Sequence, residues 1–180
     1  MTAETVLMVV VPEAEGLVKP FRDRFDPSAS LGAPAHITVL YPFLPPERID
    51  EAVCDRLVAC CAAQVPIDFQ LTEIRRFGDE VLYLAPAPDE PLRQLTLAIW
   101  RLFPETPPYA GRHAEIIPHL SIAWVQDPVL LRKITQGFTA KATEHLPISG
   151  CATSLTLFDN ASGRWEQRQD FPFGGRRGQG

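Results

Sequence analysis

The sequence predicts an α+β fold built from two similar halves related by a pseudo-twofold axis. Three observations carry that prediction. A four-residue phrase occurs twice: His36-Ile37-Thr38-Val39 and His119-Leu120-Ser121-Ile122 both read histidine, apolar, hydroxyl, apolar. Each phrase heads an alternating run, His36 to Tyr41 and His119 to Trp124, with the period of a strand. The surrounding order of strand, helix, histidine strand, helix and strand is then used twice. Two copies of about eighty residues are too few and too long for a solenoid, so they are expected to face each other as a duplicated domain.

Met1 to Val11 reads as the first strand, and Pro12-Glu13 opens a helical stretch that ends at Arg24-Phe25. A proline-containing loop, Asp26 to Ala35, leads into the first histidine strand. The next helix is expected over Glu47 to Gln64, where Ile49, Val53, Leu57 and Cys61 recur every fourth residue on one face. Pro45-Pro46 stand just before it, where proline is tolerated. Val65-Pro66-Ile67 then introduces a strand through Phe69, Leu71 and Ile74.

The second copy starts with a strand at Val81-Leu82-Tyr83. Pro88-Asp89-Glu90 follows, then a helix with Leu92, Leu95, Ile99 and Leu102 on one face, ending at Leu102-Phe103. A loop from Pro104 to Pro118 precedes the second histidine strand. Asp127 is a suitable N-cap, and Pro128 a suitable first-turn residue, for a helix to Thr143. Leu146-Pro147-Ile148 parallels Val65-Pro66-Ile67; a strand at Leu155 to Leu157, a turn over Phe158 to Gly163 and a final strand from Trp165 to Phe173 complete the domain, 1–173. Gly174 to Gly180, rich in glycine with Arg176-Arg177, reads as a disordered tail.

With 180 residues and 46% apolar content the chain can bury a real core. No apolar run reaches the length of a membrane span, and the N-terminus lacks a basic-then-apolar leader pattern. The four cysteines include no C-x-x-C pair and read as small hydrophobes in a reducing cytoplasm. A net charge of -5 argues against a broad cationic groove for long nucleic acid, but leaves a small nucleotide or an RNA end open as partner. The chain is expected to act as a monomer.

The chemistry lies in the repeated phrase. Successive strand side chains point to opposite faces. His36 therefore shares a face with Thr38, and His119 with Ser121, while Ile37, Val39, Leu120 and Ile122 point into the core. From the composition, a histidine starts this pattern by chance about 2% of the time. Two hits among four histidines are thus a signal where one would not be. A twofold axis would set His36 opposite His119. Near neutrality one imidazole can be neutral and another protonated. One can take a proton from an attacking oxygen while the other gives one to a leaving oxygen. The hydroxyls can donate to phosphate oxygens between them. A phosphodiester suits such a pair, and neither metal nor cofactor is called for.

The runs Ala35-His36-Ile37-Thr38-Val39-Leu40-Tyr41-Pro42-Phe43 and Pro118-His119-Leu120-Ser121-Ile122-Ala123, within a repeat covering nearly all of Thr5 to Phe173, resemble the two-histidine phosphoesterase superfamily. That group includes the bacterial 2′-5′ RNA ligase-like proteins and 2′,3′-cyclic phosphodiesterases. The resemblance implies a bilobal fold of two antiparallel sheets backed by helices, with one motif per lobe and a central cleft. It implies metal-independent action on 2′,3′-cyclic phosphates or 2′-5′ phosphodiesters. His36 and His119 would be the acid/base pair, and Thr38 and Ser121 would hold the phosphate. The second motif has serine where many members have threonine, which keeps the hydroxyl donor.

Other residues carry weaker expectations. Tyr41 and Trp124, each five places after its histidine, should face the core. Arg112 and His113, near Tyr109, lie in a loop expected to overhang the cleft, where Arg112 is placed to bind phosphate. His113 and His145 read as loop or surface residues. Arg22 and Arg24 are accounted for by the C-terminal end of their helix. Arg75-Arg76 mark a strand end, and Glu73 and Asp79 have no assignable partner. Two other functions stay open: a nucleotide- or phosphate-binding module without turnover, and a metal hydrolase using His36, His119 and His113.

Overall fold

The computed structural model describes residues 2–175. Its strands are β1 (Thr5–Val10), β2 (His36–Leu40), β3 (Ile67–Phe77), β4 (Val81–Ala87), β5 (Leu120–Trp124), β6 (Ile148–Ala152), β7 (Ser154–Asp159) and β8 (Glu166–Pro172). Its helices are α1 (Pro12–Phe25), α2 (Pro27–Ser30), α3 (Glu51–Ala63), α4 (Glu90–Leu102) and α5 (Pro128–Ala142). The strands form two four-stranded sheets in the orders β2-β1-β7-β8 and β5-β4-β3-β6, with every pairing antiparallel. The α+β architecture with two antiparallel sheets is therefore as the sequence implied.

The sheets do not follow the halves of the repeat. β3, which closes the first half, pairs with β4 and β6 in the second sheet, while β7 returns to pair with β1 and β8 pairs with β7 to complete the first. The helices interleave too: α1 packs on β5 and β6, and α4 on β2. The main apolar core spans both halves, joining Leu7 and Val9 of the first sheet to Leu82 and Leu84 of the second. The T-shaped contact of Phe43 with Phe103, ring centroids 5.0 Å apart, crosses between the halves.

Local chemistry sets the element ends. Asp50 accepts the backbone N–H of Val53 at 2.9 Å, an N-cap that starts α3 at Glu51. The helix expected from Glu47 thus becomes a 3₁₀ turn, Pro46–Arg48, followed by a separate capped helix. Asp26 likewise accepts the N–H of Ser28, nucleating α2 inside the expected loop. Asp127 accepts the N–H groups of Val129 and Leu130 and caps α5 as expected. At the chain end the N–H groups of Gly174 and Gly175 donate to Cys61 and Gln64 carbonyls; the rest of the expected tail, 176–180, lies outside the described residues.

β2 and β5 are the edge strands of their sheets, and they touch each other. The two motifs therefore meet where the sheets meet. Ile37, Val39, Leu120 and Ile122 are buried on the core side, as alternation required. Each contributes about 1.5–3 kcal/mol of transfer free energy, so the strand face carrying the polar residues is fixed.

Candidate active site

On the first sheet His36 lies opposite Val10 and Thr38 opposite Met8; on the second, Ser121 lies opposite Tyr83. Both pairings then slip by one residue at equivalent places. Leu7 pairs with Leu40 and Leu82 with Ala123, so Val39 and Ile122 are extra residues in matching bulges, each three places after its histidine. A bulge reverses the alternation beyond it. This corrects the expectation for the two aromatics. Trp124 is turned away from the core and is 55% exposed. Tyr41 leaves the main core for a smaller cluster with Val6, Met8 and Phe158 on the histidine face; its ring meets Trp165 edge-on and its hydroxyl donates to Glu4 at 2.7 Å.

The two histidines are held alike. Nδ1 of His36 is 2.7 Å from the carbonyl of Pro34, and Nδ1 of His119 is 2.7 Å from that of Ile117. A carbonyl only accepts, so each Nδ1 carries a proton and each neutral ring presents Nε2 as its basic atom. The same two-residue offset in both halves gives the rings equivalent poses.

Their surroundings differ. His36 sits beside the Arg22 guanidinium, and burial first, then that positive charge, push its pKa down to about 4; the Pro34 carbonyl and Asp26 oppose the shift. The charge of His119 also bears on His36, so the two rings sense each other across the β2–β5 junction. His119 is packed among aromatic rings: edge-on to Phe77 at 4.9 Å and to Tyr83 at 5.4 Å, and nearly parallel to Tyr109 at 6.3 Å. Burial among them lowers its pKa as well, with His113 adding to the effect and the Ile117 carbonyl opposing it.

Two residues at the site went unrecognised in the sequence. Arg22 is 1% exposed and donates to the carbonyls of Ser121, Ala33 and Pro34 at 2.7, 3.1 and 3.1 Å. Its place was legible, because it extends the buried stripe Ala14, Leu17, Val18 along α1. Tyr109 reaches from the loop of the second half to the first: its N–H donates to the Tyr41 carbonyl at 2.6 Å and its hydroxyl lies beside the Thr38 side chain. Tyr109 and Ala110 both adopt left-handed backbone, φ 52° and 54°, a cost accepted in few places in a fold. Local sequence carried no sign of this.

The remaining candidates divide. Arg112 is exposed, and its charge is felt at the Tyr41 hydroxyl. His113 is an exposed loop residue, as expected, yet its ring lies 5.6 Å from that of Tyr109. Glu73 pairs with Arg75 at 2.7 Å and Asp79 approaches Arg76 at 4.0 Å, which supplies the partners the sequence did not reveal. Among the described residues no group of three His, Cys, Asp or Glu side chains is arranged to hold a metal. No helix among them is long and apolar enough to cross a membrane.

Residues 10–164 match the family described as the 2′-5′ RNA ligase superfamily. The chain belongs to that superfamily. No curated protein matches the sequence at comparable significance. Among solved structures, Escherichia coli LigT complexed with 3′-AMP aligns at 14% identity and a TM-score of 0.58, over 96% of this chain and 99% of that one. TT0787 of Thermus thermophilus aligns at 16% identity and a TM-score of 0.60, over 97% and 100%. A structure described only as a phosphoesterase gives 15% and 0.58, over 96% and 99%. At these identities the likeness is one of fold. The superfamily is one of two-histidine phosphoesterases, and this member keeps its two-sheet architecture across nearly the whole chain.

Proposed function

We propose that this protein is a metal-independent phosphoesterase that acts on 2′,3′-cyclic phosphates or 2′-5′ phosphodiester bonds of nucleotides or RNA ends. His36 and His119 serve as its acid/base pair. The observation that carries this reading is the matched pose of the two rings, each with Nδ1–H on a carbonyl two residues upstream and Nε2 left for a proton. In hydrolysis the neutral ring takes a proton from water at Nε2 as its oxygen attacks phosphorus. The other ring, protonated, gives its Nε2 proton to the departing ribose oxygen. The hydroxyls of Thr38 and Ser121 donate to the non-bridging oxygens as charge builds there. Arg112, exposed in the loop before the second motif, is assigned a phosphate contact in the same reading. The 3′-AMP in the LigT complex is a ribose phosphate, the kind of group such a site would hold.

The test is a screen of 2′,3′-cyclic mononucleotides, 2′-5′ dinucleotides and RNA ending in a cyclic phosphate, with EDTA present and the product phosphate position assigned. Turnover of at least one class is expected. Binding without product would instead favour a non-catalytic nucleotide-binding module, and activity abolished by the chelator a metal hydrolase.

A further inference from the structure

The two halves match in strand order, in bulge position and in histidine pose, and they differ at a buried ion pair, Arg22 with Asp26. Aligning the helix ends Arg24-Phe25 and Leu102-Phe103 sets Arg22 of α1 against Trp100 of α4, a half-buried aromatic on the core. Arg22 is thus a cation present in one half and replaced by an indole in the other.

Its contacts go to backbone that matters. Nη2 donates to the carbonyls of Ala33 and Pro34, at 3.1 Å each, in the turn that enters the first motif. The Pro34 oxygen is the atom that orients His36. Nη1 donates to the carbonyl of Ser121, 2.7 Å away in the second motif. The charge is balanced by Asp26, whose Oδ2 meets Nη1 at 2.8 Å as an ion pair, while Oδ1 caps α2. Arg22 is buried beneath these strands, so its action on a substrate must run through the residues it holds.

We propose that Arg22 is a positioning residue, whose guanidinium seats His36 through the Pro34 carbonyl and fixes the first motif to the Ser121 strand, making the two halves of the site unequal. The inference rests on the reading of His36 and His119 as an acid/base pair. A fixed cation beside His36 disfavours imidazolium there, so His36 is the ring that is neutral at the start of hydrolysis and accepts the proton from water. His119 then donates to the leaving oxygen. The groups facing His36 are Arg22 and Asp26 at the end of α1, and His119 across the strand junction. Glu15, also on α1, accepts the adjacent Ala35 N–H at 2.8 Å.

The experiment combines kinetics with NMR titration of the histidine rings. In the wild type His36 should titrate well below His119. In Arg22→Met the His36 titration should rise by at least one pH unit with that of His119 much less affected, and kcat should fall about 100-fold with little change in KM, the scale expected when a reacting group is misplaced. Arg22→Lys keeps the charge and loses the fork, so its His36 titration should stay near wild type while kcat still falls. If Arg22→Met does not fold, the wild-type titration and Arg22→Lys still decide. A wild-type His36 that titrates with or above His119, or an Arg22→Lys enzyme with unchanged kcat, overturns the proposal. NMR reads the rings without turnover. A wild type inactive on every substrate would therefore count against the phosphoesterase reading, while the titrations still judge the role of Arg22.

Discussion

The Nδ1–H of His36 and the guanidinium of Arg22 end on one oxygen, the carbonyl of Pro34, at 2.7 and 3.1 Å. That shared acceptor ties the orientation of a half-buried ring to a buried ion pair. It also means that the first motif is held in place from beneath, by α1, and not by its own strand alone.

The arrangement predicts an acid sensitivity. His36 has its pKa held at about 4 in the folded chain, by burial first and Arg22 second, against an ordinary value near 6.5. Both states leave it neutral above about pH 6.5. Below that the unfolded chain takes the proton first, so stability falls from about pH 6.5 toward pH 4. At about 1.4 kcal/mol per pKa unit the loss is at most about 3.5 kcal/mol. Urea unfolding at pH 7.5 and 4.5 should therefore show a smaller acid loss for His36→Asn than for wild type. Equal losses would show that the ring is not held neutral.

Thr38 and Ser121 should each matter to the reaction more than to the fold, since both are only partly buried on the strand face away from the core. Thr38→Ala and Ser121→Ala are each expected to lower kcat/KM about 100-fold, the effect of losing one donor to developing charge. Thr38→Ser and Ser121→Thr should recover most of it. Steady-state kinetics on a 2′,3′-cyclic nucleotide reads this directly.

Tyr109 links the halves through Thr38 and the Tyr41 backbone. Tyr109→Phe removes only the hydroxyl beside Thr38 and should cost no more than about fivefold in kcat/KM, the roughly 1 kcal/mol of one hydrogen bond. Tyr109→Ala also removes the ring beside His119 and should cost more. If the two variants behave alike, the ring is idle.

The core is shared, so the halves should not unfold separately. Phe103 is fully buried at the end of α4 and packs against Phe43 of the other half, with Arg56 over its ring at 4.3 Å. Phe103→Ala should cost about 3–5 kcal/mol and shift one cooperative transition. Two separated transitions by fluorescence and circular dichroism would contradict a single core.

Much of this is legible in the sequence where local rules govern. The repeated phrase locates both histidine strands, periodicity locates α4 and the buried face of α3, and Asp127 marks the start of α5. Three features escape because their causes are not local. The exchange of β3 into the second sheet follows from how the halves pack, which no window of sequence encodes. The bulges at Val39 and Ile122 reverse an alternation that the residues themselves still display, so alternation alone puts Tyr41 and Trp124 on the wrong face. Arg22 reads as a helix-end cation satisfied by the dipole, although its place in the stripe after Leu17 and Val18 already sets it on the buried side.

The central claim is that His36 and His119 work as one acid/base pair. The most direct test is the rate of 2′,3′-cyclic nucleotide hydrolysis, in EDTA, by His36→Ala, His119→Ala and the double variant, each shown to be folded. Each single variant should lose at least about 100-fold in kcat, and the double variant little more, because the two groups act in one step. A folded single variant that keeps the wild-type rate would contradict the account.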